Sequence, residues 1–304
     1  MSIYQLAKKV YYSSGLAFFR DTLRSKRHLE EIYSNLSIPA ISNNTCKTSK
    51  LKIDIVIPVI DKDAETLRAV IESAKKYIRH PIGSFYLVSP QNSPVIKSIA
   101  LETNCIFIDE AILVDSSPQK IQYMCNGINR AGWAYQQLLK WSGAKFCKNR
   151  YYLVIDSDTV FIRPQAFEYN GRIVFDHCDF IHKPYFEAFT RLFGIKPKST
   201  VSFTTHHALI DTELMQEIFE YIENKHNKPW HKAVIDTIDQ KHKSSISDYD
   251  NYGLFVTEKH PETMAIRYWA NLSLQRDELV NLRKLEKRFS RLYNTISFHS
   301  WNTD

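Results

Sequence analysis

The chain has 304 residues, of which 44% are hydrophobic and 13% aromatic. This is enough to bury one large core or two smaller ones, and it excludes a disordered chain. No apolar run approaches the roughly 20 residues that a transmembrane helix needs, and no signal-peptide core is present, so we expect neither. The five cysteines include no Cys-x-x-Cys pair, which predicts reduced thiols and a cytoplasmic location.

The formal net charge of +7 is concentrated in residues 1–30, where apolar residues are interleaved with basic ones at a rough helical period. Such a basic amphipathic segment suits either the anionic inner face of a membrane or packing against the main domain, and the pattern leaves both open. Residues 40–50 are polar and patternless, which predicts a linker. We therefore divide the chain into an N-terminal helical extension with its linker, residues 1–50, and a main domain, residues 51–304.

The first half of the main domain alternates predicted strands with predicted helices. Buried apolar runs predict strands at residues 53–59, 85–88, 105–108 and 151–155. Helical periodicity and helix-start signals predict helices at residues 63–78, 94–103 and 117–141, with a break near Gly127 as the alternative in the last. This alternation is typical of an α/β domain with a mostly parallel sheet.

Two carboxylates, Asp156 and Asp158, follow the predicted strand at 151–155 and flank the small Ser157. Ligands of open α/β sheets collect at the carboxyl ends of the strands, so these acids stand where a site is expected. Such a pair suits a hard divalent cation that keeps positions open for substrate phosphates. Asp-x-Asp also occurs at 61/63 and 248/250, so the buried strand in front carries the prediction. The alternative is a solvated turn that caps a helix.

The regular alternation of predicted strands and helices ends after Asp158, and the elements that follow are more irregular. We predict strands at residues 172–175 and 201–210, and helices at residues 211–225, 230–240 and 276–292. Residues 51–180 are therefore assigned to nucleotide binding and residues 181–304 to acceptor recognition.

Six segments carry further signals, at residues 55–59, 130–140, 155–158, 206–211, 247–253 and 298–301. In this order they resemble the motifs of GT-A-type glycosyltransferases, close to bacterial families that build capsule or lipopolysaccharide chains. The resemblance implies a GT-A fold, which is Rossmann-like with a mostly parallel central sheet and helices on both faces. It also implies transfer of a sugar from a nucleotide-sugar donor, UDP-linked first of all, to a glycan or lipid-linked acceptor.

The resemblance also places the donor-binding residues. The end of the first strand, Pro58, Val59 and Asp61, would hold the base and ribose, although Asp61 in an exposed turn is an equal alternative. Arg130 or Lys140 would offset phosphate charge, with a surface ion pair as the alternative for Arg130. Gln136 or Gln137 would bond sugar hydroxyls. These residues join Asp156 and Ser157 in the predicted donor site.

His299 is the predicted third metal ligand beside Asp156 and Asp158, since many GT-A enzymes bring a late histidine back to the cation. Imidazole nitrogen suits Mn²⁺ better than Mg²⁺. A purely structural role for His299 is the alternative.

Asp248 is the predicted base of an inverting transfer, because such an enzyme needs a base near the acceptor hydroxyl. Asp250 forms a capping box with Ser247 in the competing interpretation. His206 is assigned to the acceptor side with Asp250. Only one of His206 and His207 can face the cleft if both lie on a strand.

Three rival functions remain. Clustered aspartates would also serve a metal-dependent phosphotransferase or phosphodiesterase, but no His-x-His-x-Asp motif or P-loop is present. A nucleic-acid-binding protein is disfavoured because zinc-finger spacing and RNP aromatics are missing. A non-catalytic sugar-binding module would not need both carboxylate clusters and His299.

Overall fold

The computed structural model describes residues 36–43, 48–178, 180–199 and 201–300. The basic segment predicted as an N-terminal helix over residues 1–30 lies outside these ranges. Within them, no helix is long and apolar enough to cross a bilayer.

The described residues form strands and helices that we number in chain order. The strands are β1 (Ala40–Ile41), β2 (Ile53–Pro58), β3 (Ile82–Ser89), β4 (Ile106–Asp109), β5 (Met124–Cys125), β6 (Ile128–Asn129), β7 (Tyr151–Ile155), β8 (Thr159–Phe161), β9 (Glu168–Tyr169), β10 (Arg172–His177), β11 (His207–Asp211), β12 (Met264–Tyr268), β13 (Asn271–Gln275) and β14 (Thr295–His299). The α-helices are α1 (Ala64–Tyr77), α2 (Pro94–Thr103), α3 (Ala131–Trp141), α4 (Lys183–Phe193), α5 (Thr212–His226), α6 (Trp230–Asp236), α7 (Asp248–Lys259) and α8 (Leu282–Phe289). Short 3₁₀ helices span Asp61–Asp63, Glu110–Ile112, Pro118–Lys120, Ser142–Lys145, Pro261–Thr263 and Arg276–Asn281.

A five-stranded sheet with the order β11-β7-β2-β3-β4 holds the central strands. Strand β2 pairs in parallel with β3 and β7, and β3 pairs in parallel with β4, whereas β11 runs antiparallel to β7. The predicted α/β fold with a mostly parallel sheet is therefore confirmed. Residues 152–155 of β7 are fully buried, as expected of an apolar strand covered on both faces. The parallel strands end at one edge, where Asp156 follows β7.

The helices of this half each bury one apolar face. Helix α1 buries Leu67, Val70, Ile71 and Ala74 at helical spacing. Helix α2 ends at Asn104, whose φ of 55° gives the left-handed cap that commonly ends a helix. Helix α3 packs against β2 and so carries its side chains toward the edge where Asp156 lies.

Among the described residues, two further sheets have the orders β1-β12-β10-β9 and β13-β14-β8, and β5 and β6 form a two-stranded sheet. Strand β1 pairs in parallel with β12, where Ala40 lies opposite Ile266. The predicted linker at residues 40–50 therefore begins with a strand of the folded domain, and the linker prediction is wrong there. The reason is Ile38 and Ile41, which are buried and draw this segment into the core.

Several predicted elements differ from the structure. The helix predicted at 117–141 is helical only from Ala131. Before it lies a hairpin turning at Asn126 and Gly127, whose φ values of 50° and 76° suit an Asn-Gly turn. The strand predicted at 201–210 starts only at His207, because His206 has a φ of 66°, which breaks an extended chain. The charged helix predicted at 276–292 is a 3₁₀ segment followed by α8.

An ion-paired network is buried beside β11. Arg267 on β12 donates from Nε and Nη2 to the carboxylate of Asp176 on β10, at 2.6 and 2.9 Å. The Nε2 atom of His207 lies 2.9 Å from the same carboxylate. A buried carboxylate of this kind is costly unless it is paired. The network therefore holds the start of β11, directly after His206, in one position.

Gly253 on α7 allows that helix to lie against Phe203. We expect Gly253→Ala to lower the free energy of unfolding by about 1–3 kcal/mol, because a Cβ there would collide with the Phe203 ring. Gly132→Ala is the matched control, since a Cβ at this helical glycine meets no atom within 4 Å. The control should be neutral or stabilise by roughly 0.4–1 kcal/mol. Urea unfolding of both variants measures the difference, and equal stabilities would contradict this packing.

Candidate active site

Asp156 and Asp158 lie at the carboxyl edge of the central sheet, directly after β7. The Asp156 N–H donates to the carbonyl of His206 at 2.9 Å, which ties this turn to the residue before β11. The Asp158 carbonyl accepts from the N–H of Phe298 on β14 at 2.9 Å. Both carboxylate side chains are about 20% exposed. The turn therefore carries two partly accessible acids. A backbone hydrogen bond joins Asp156 to the residue before β11, and another joins Asp158 to β14.

The Asp156 carboxylate is surrounded by protein donors. Its Oδ1 accepts from the Lys140 ammonium at 2.7 Å and from the Tyr249 hydroxyl at 2.8 Å. Its Oδ2 lies 3.1 Å from Nδ1 of His206. Burial raises the pKa of Asp156, but Lys140 and His206 outweigh it and hold the pKa well below its usual range. Asp156 is thus ionised, with both oxygens already bonded to the protein.

Asp158 is paired with His299. The Nδ1 atom of His299, at the end of β14, lies 2.9 Å from Oδ2 of Asp158. Two ligands set at right angles, each about 2.1 Å from a Mg²⁺-sized ion, would lie about 3 Å apart. The pair is therefore spaced as two adjacent ligands of one cation would be. The imidazole nitrogen favours Mn²⁺ over Mg²⁺.

The cation site is only partly built from protein. Among the described residues, no group of three or more His, Cys, Asp or Glu side chains could hold a metal ion. Asp158 and His299 fit a cation as two ligands, with the remaining positions left for oxygens from outside the protein. Asp156 does not fit equally well, because Lys140 and Tyr249 already bond Oδ1 and His206 bonds Oδ2.

Asp248 and Lys140 form a buried pair behind Asp156. The Lys140 ammonium lies 3.5 Å from Asp248, and both side chains are 3% exposed or less. Burial raises the pKa of Asp248 to about 7, although Lys140 lowers it. Burial lowers the pKa of Lys140, but the carboxylates of Asp156 and Asp248 outweigh this and raise it. One ammonium therefore links the carboxylate of the predicted metal site to that of the predicted base.

Asp250 is fully buried and acts on the neighbouring loop. Its carboxylate accepts from the Ser202 and Thr204 hydroxyls and from the Phe203 N–H. Ser247 caps α7 by accepting from the Asp250 N–H, but Asp250 does not complete the capping box with a bond back to the Ser247 N–H. Three donors surround the Asp250 carboxylate and its side chain has no exposed surface, so the predicted acceptor contact would require this loop to move. In the structure Asp250 fixes the loop that leads to His206.

The two adjacent histidines point to different places. His206 bonds Asp156 and its side chain is 25% exposed. Its ring centre lies 5.3 Å from that of His299. Burial lowers the pKa of His206, but its bond to Asp156 outweighs this and raises it. His207 is buried in the Asp176 network. His206 is therefore the histidine of this pair that reaches the cleft.

The residues predicted to hold the base and ribose lie at the end of β2. Pro58 and Val59 are buried, and the Val59 N–H donates to the carbonyl of Val88. Ile60 and Asp61 follow and are exposed. Ser157 is also buried, and its carbonyl accepts from the Thr66 hydroxyl at 2.7 Å. Ile60 and Asp61 are therefore the residues of this segment whose side chains are accessible to a ligand. Pro58, Val59 and Ser157 are buried within the turns.

Arg130 and Gln137 do not point at the carboxylates. Arg130 donates from Nε to the carbonyl of Lys243 at 2.7 Å and lies over the Trp133 ring. The Oε1 atom of Gln137 accepts from the Asp248 N–H at 3.2 Å. This amide therefore caps the start of α7 through its oxygen, and the sugar contact of Gln137 stays a prediction. Arg130 instead joins α3 to the loop before α7.

Tyr249 is a site residue that the sequence analysis did not single out, and Lys140 is named there only as the alternative to Arg130 for offsetting phosphate charge. Lys140 occupies a buried position of α3, between Leu139 and Trp141. A lysine is almost never fully buried unless it is paired, so its place among apolar residues was the available signal. Tyr249 lies between Asp248 and Asp250 in the sequence, and no local pattern showed that its hydroxyl bonds Asp156.

Comparison with known proteins gives a family and several distant structural likenesses. The profile of a family of unknown function, DUF6492, matches residues 50–301. No curated protein sequence matches the chain.

The fold also resembles solved structures at low sequence identity. Mouse xyloside xylosyltransferase 1 in its apo form is 14% identical with a TM-score of 0.45, and the match covers 84% of this chain and 99% of that one. The galactosyltransferase LgtC with donor and acceptor sugar analogs is 12% identical with a TM-score of 0.41, covering 81% and 87%. An active-site mutant of LgtC is 14% identical with a TM-score of 0.44, again covering 81% and 87%.

Proposed function

The chain belongs to the DUF6492 family, and we propose that it is a metal-dependent glycosyltransferase of the GT-A type. It would move a sugar from a nucleoside diphosphate donor, most readily a UDP-sugar, to a glycan or glycolipid acceptor in bacterial surface polysaccharide synthesis. The observation that carries this proposal is the contact of 2.9 Å between Asp158 and His299 at the carboxyl edge of a mostly parallel sheet. The cysteines, which include no Cys-x-x-Cys pair, support a cytoplasmic location for this reaction.

The donor side is formed by the turn after β7 and the turn after β2. When bound, Mn²⁺ or Mg²⁺ would offset the negative charge of the diphosphate as it leaves. Asp158 and His299 would hold that ion, and Asp156 would keep Lys140 and His206 in place beside it. Exposed Asp61 would meet the ribose or base. The sugar would then lie between this turn and His206.

Asp248 is the proposed base of an inverting transfer. Its pKa of about 7 is close to neutral pH, where a carboxylate can both hold and release a proton. The acceptor hydroxyl would give its proton to a carboxylate oxygen of Asp248 while its oxygen attacks the anomeric carbon. Since the Asp248 side chain is 2% exposed, the transfer requires that donor or acceptor binding opens a path to it.

The acceptor side would be formed by His206 and the loop before it. This loop is held by Asp250 through Ser202, Phe203 and Thr204. The His206 ring is partly exposed and lies beside both Asp156 and His299, which suits orientation of an acceptor hydroxyl near the sugar.

Glycosyl transfer is favoured over phosphodiester hydrolysis by the ligand set. Two-metal hydrolases need several carboxylates and histidines around ions about 3.5–4 Å apart. In the described ranges, no such group of ligands is found, and two protein ligands are brought together at Asp158. A single ion that also binds a diphosphate fits this smaller set.

Calorimetry with nucleotides tests the donor assignment. We expect UDP to bind in the presence of Mn²⁺ and to lose most of its affinity when the metal is chelated. GDP and ADP are the controls for recognition of the base, and uridine is the control for recognition of the diphosphate. Metal-independent binding of UDP, or tighter binding of uridine than of UDP, would exclude the proposed site.

A further inference from the structure

A basic groove lies outside the proposed active site, between helices α1 and α8. Its volume is about 1150 Å³, and the segment from Val160 to Pro164 lines it together with the two helices. Two positive side chains, Arg283 and Lys287, lie four residues apart on α8, and a third, Arg291, lies in the turn that follows the helix. Arg163 adds a positive side chain from the β8 segment.

Acids balance these three side chains only in part. Burial raises the pKa of Glu286, but Lys76, Tyr77 and, more weakly, Arg283 lower it. All three basic side chains are exposed, and none forms an ion pair with another described residue. Arg283 and Lys287 are like charges four residues apart on a helix, so they repel and cost stability. A bound anion would relieve this repulsion.

The acids that face the groove are already engaged. Glu286 accepts from the Lys76 ammonium at 2.6 Å and from the Tyr77 hydroxyl, which fixes α8 against α1. Glu72 lies 3.4 Å from the Lys75 ammonium. These bonds neutralise the negative groups and leave the groove with a positive field along a rigid wall.

The positive surface continues beyond the groove. Lys284 and Arg288 are exposed on α8, next to the groove-lining residues. Val280, just before α8, is 85% exposed, which is unusual for a branched apolar side chain next to so many charges. Arg276 anchors this end of the segment by donating to Asp63 at 2.7 Å. A fixed helix with a basic face and an apolar tip suits a surface rather than a small soluble anion.

We propose that the basic groove and the exposed face of α8 dock on the phosphate headgroups of an anionic phospholipid membrane. Arg283, Lys287 and Arg291 would bind the phosphates, and Val280 would enter the headgroup layer. This surface is formed by residues other than the basic segment 1–30, and its binding to a membrane can be measured independently of the proposed transfer activity. It would hold the enzyme where lipid-linked acceptors are found.

Vesicle co-sedimentation of the full chain tests this surface. The variant carries Arg283→Gln, Lys287→Gln and Arg291→Gln together. The matched control carries Lys196→Gln, Lys225→Gln and Lys232→Gln, which remove the same charge from exposed positions elsewhere. The wild type should bind phosphatidylcholine vesicles only when they contain phosphatidylglycerol, and high salt should weaken this binding.

The groove variant should bind these vesicles about a hundredfold more weakly, from about 1 kcal/mol per basic residue at the surface. The control should lose much less, and both variants should unfold at the wild-type temperature. Equal losses in the two variants would reduce the effect to net charge and overturn the proposal. Unchanged binding of the groove variant would assign the contact to another segment. Competition by glycerol phosphate beyond its ionic strength would show a site for soluble phosphate instead.

Discussion

Asp158→Asn is expected to abolish metal-dependent binding of UDP while the protein stays folded. The substitution removes the charge that faces His299 and changes the side-chain volume very little. Loss of partners outside the ligand sphere already costs roughly 10- to 100-fold in metal affinity, so loss of a ligand should cost more than about 100-fold. Calorimetry with Mn²⁺ and UDP measures the change.

The control for Asp158→Asn is the same substitution at Asp115, which is exposed and has only a distant contact of 4.0 Å with Lys120. Asp156→Asn provides a second comparison. Asp156→Asn should weaken the metal-dependent binding of UDP less than Asp158→Asn does. It should also lower the free energy of unfolding, because the buried Lys140 ammonium loses its charged partner at 2.7 Å. Unchanged UDP affinity in Asp158→Asn would contradict the assignment of Asp158 as a metal ligand.

Asp248→Asn is expected to lower the rate of transfer while leaving donor affinity nearly unchanged. A general base contributes typically about 10²- to 10⁴-fold to a rate, and this one has no need to touch the nucleotide. Initial rates of transfer and UDP affinity should be measured for the same preparation. A large loss of donor affinity would show that Asp248 acts by holding Lys140 and Asp156 in place.

Asp250→Asn separates the two neighbouring acids. Because Asp250 anchors the loop at residues 202–204, its loss should lower the free energy of unfolding by about 1–3 kcal/mol. Its effect on the transfer rate should be smaller than that of Asp248→Asn. The anomeric configuration of the product, read by NMR, completes this test, since retention would contradict a base mechanism.

The alternating half of the fold could be predicted because its signals are local. Strands β2 and β7 are continuous apolar runs, and α1 carries apolar residues at helical spacing. The elements of the second half of the chain were harder to predict from the sequence. A strand was predicted through His206, but the chain turns there because Asp250 and Asp156 fix the loop from outside. Contacts of this kind join residues distant in sequence and leave no local pattern.

Some residues of the candidate site also have local sequence signals, whereas others are brought together only by the fold. Asp156 and Asp158 were predictable because a buried strand leads directly into them. His299 was reached only through the resemblance, because β14 brings it to Asp158 from 141 residues away. The hydrogen bond of Gln137 to the Asp248 N–H could not be predicted, because a glutamine on a helix can bond a ligand or a neighbouring helix and no local pattern decides which.

The central claim is tested most directly by release of nucleoside diphosphate from a panel of nucleotide sugars, with Mn²⁺ and with the metal chelated. The account predicts release from one sugar donor, dependence on Mn²⁺, and loss of release in Asp158→Asn but not in Asp115→Asn. An acceptor glycan should raise the rate further. Turnover that continues at full rate after chelation and in Asp158→Asn would contradict it.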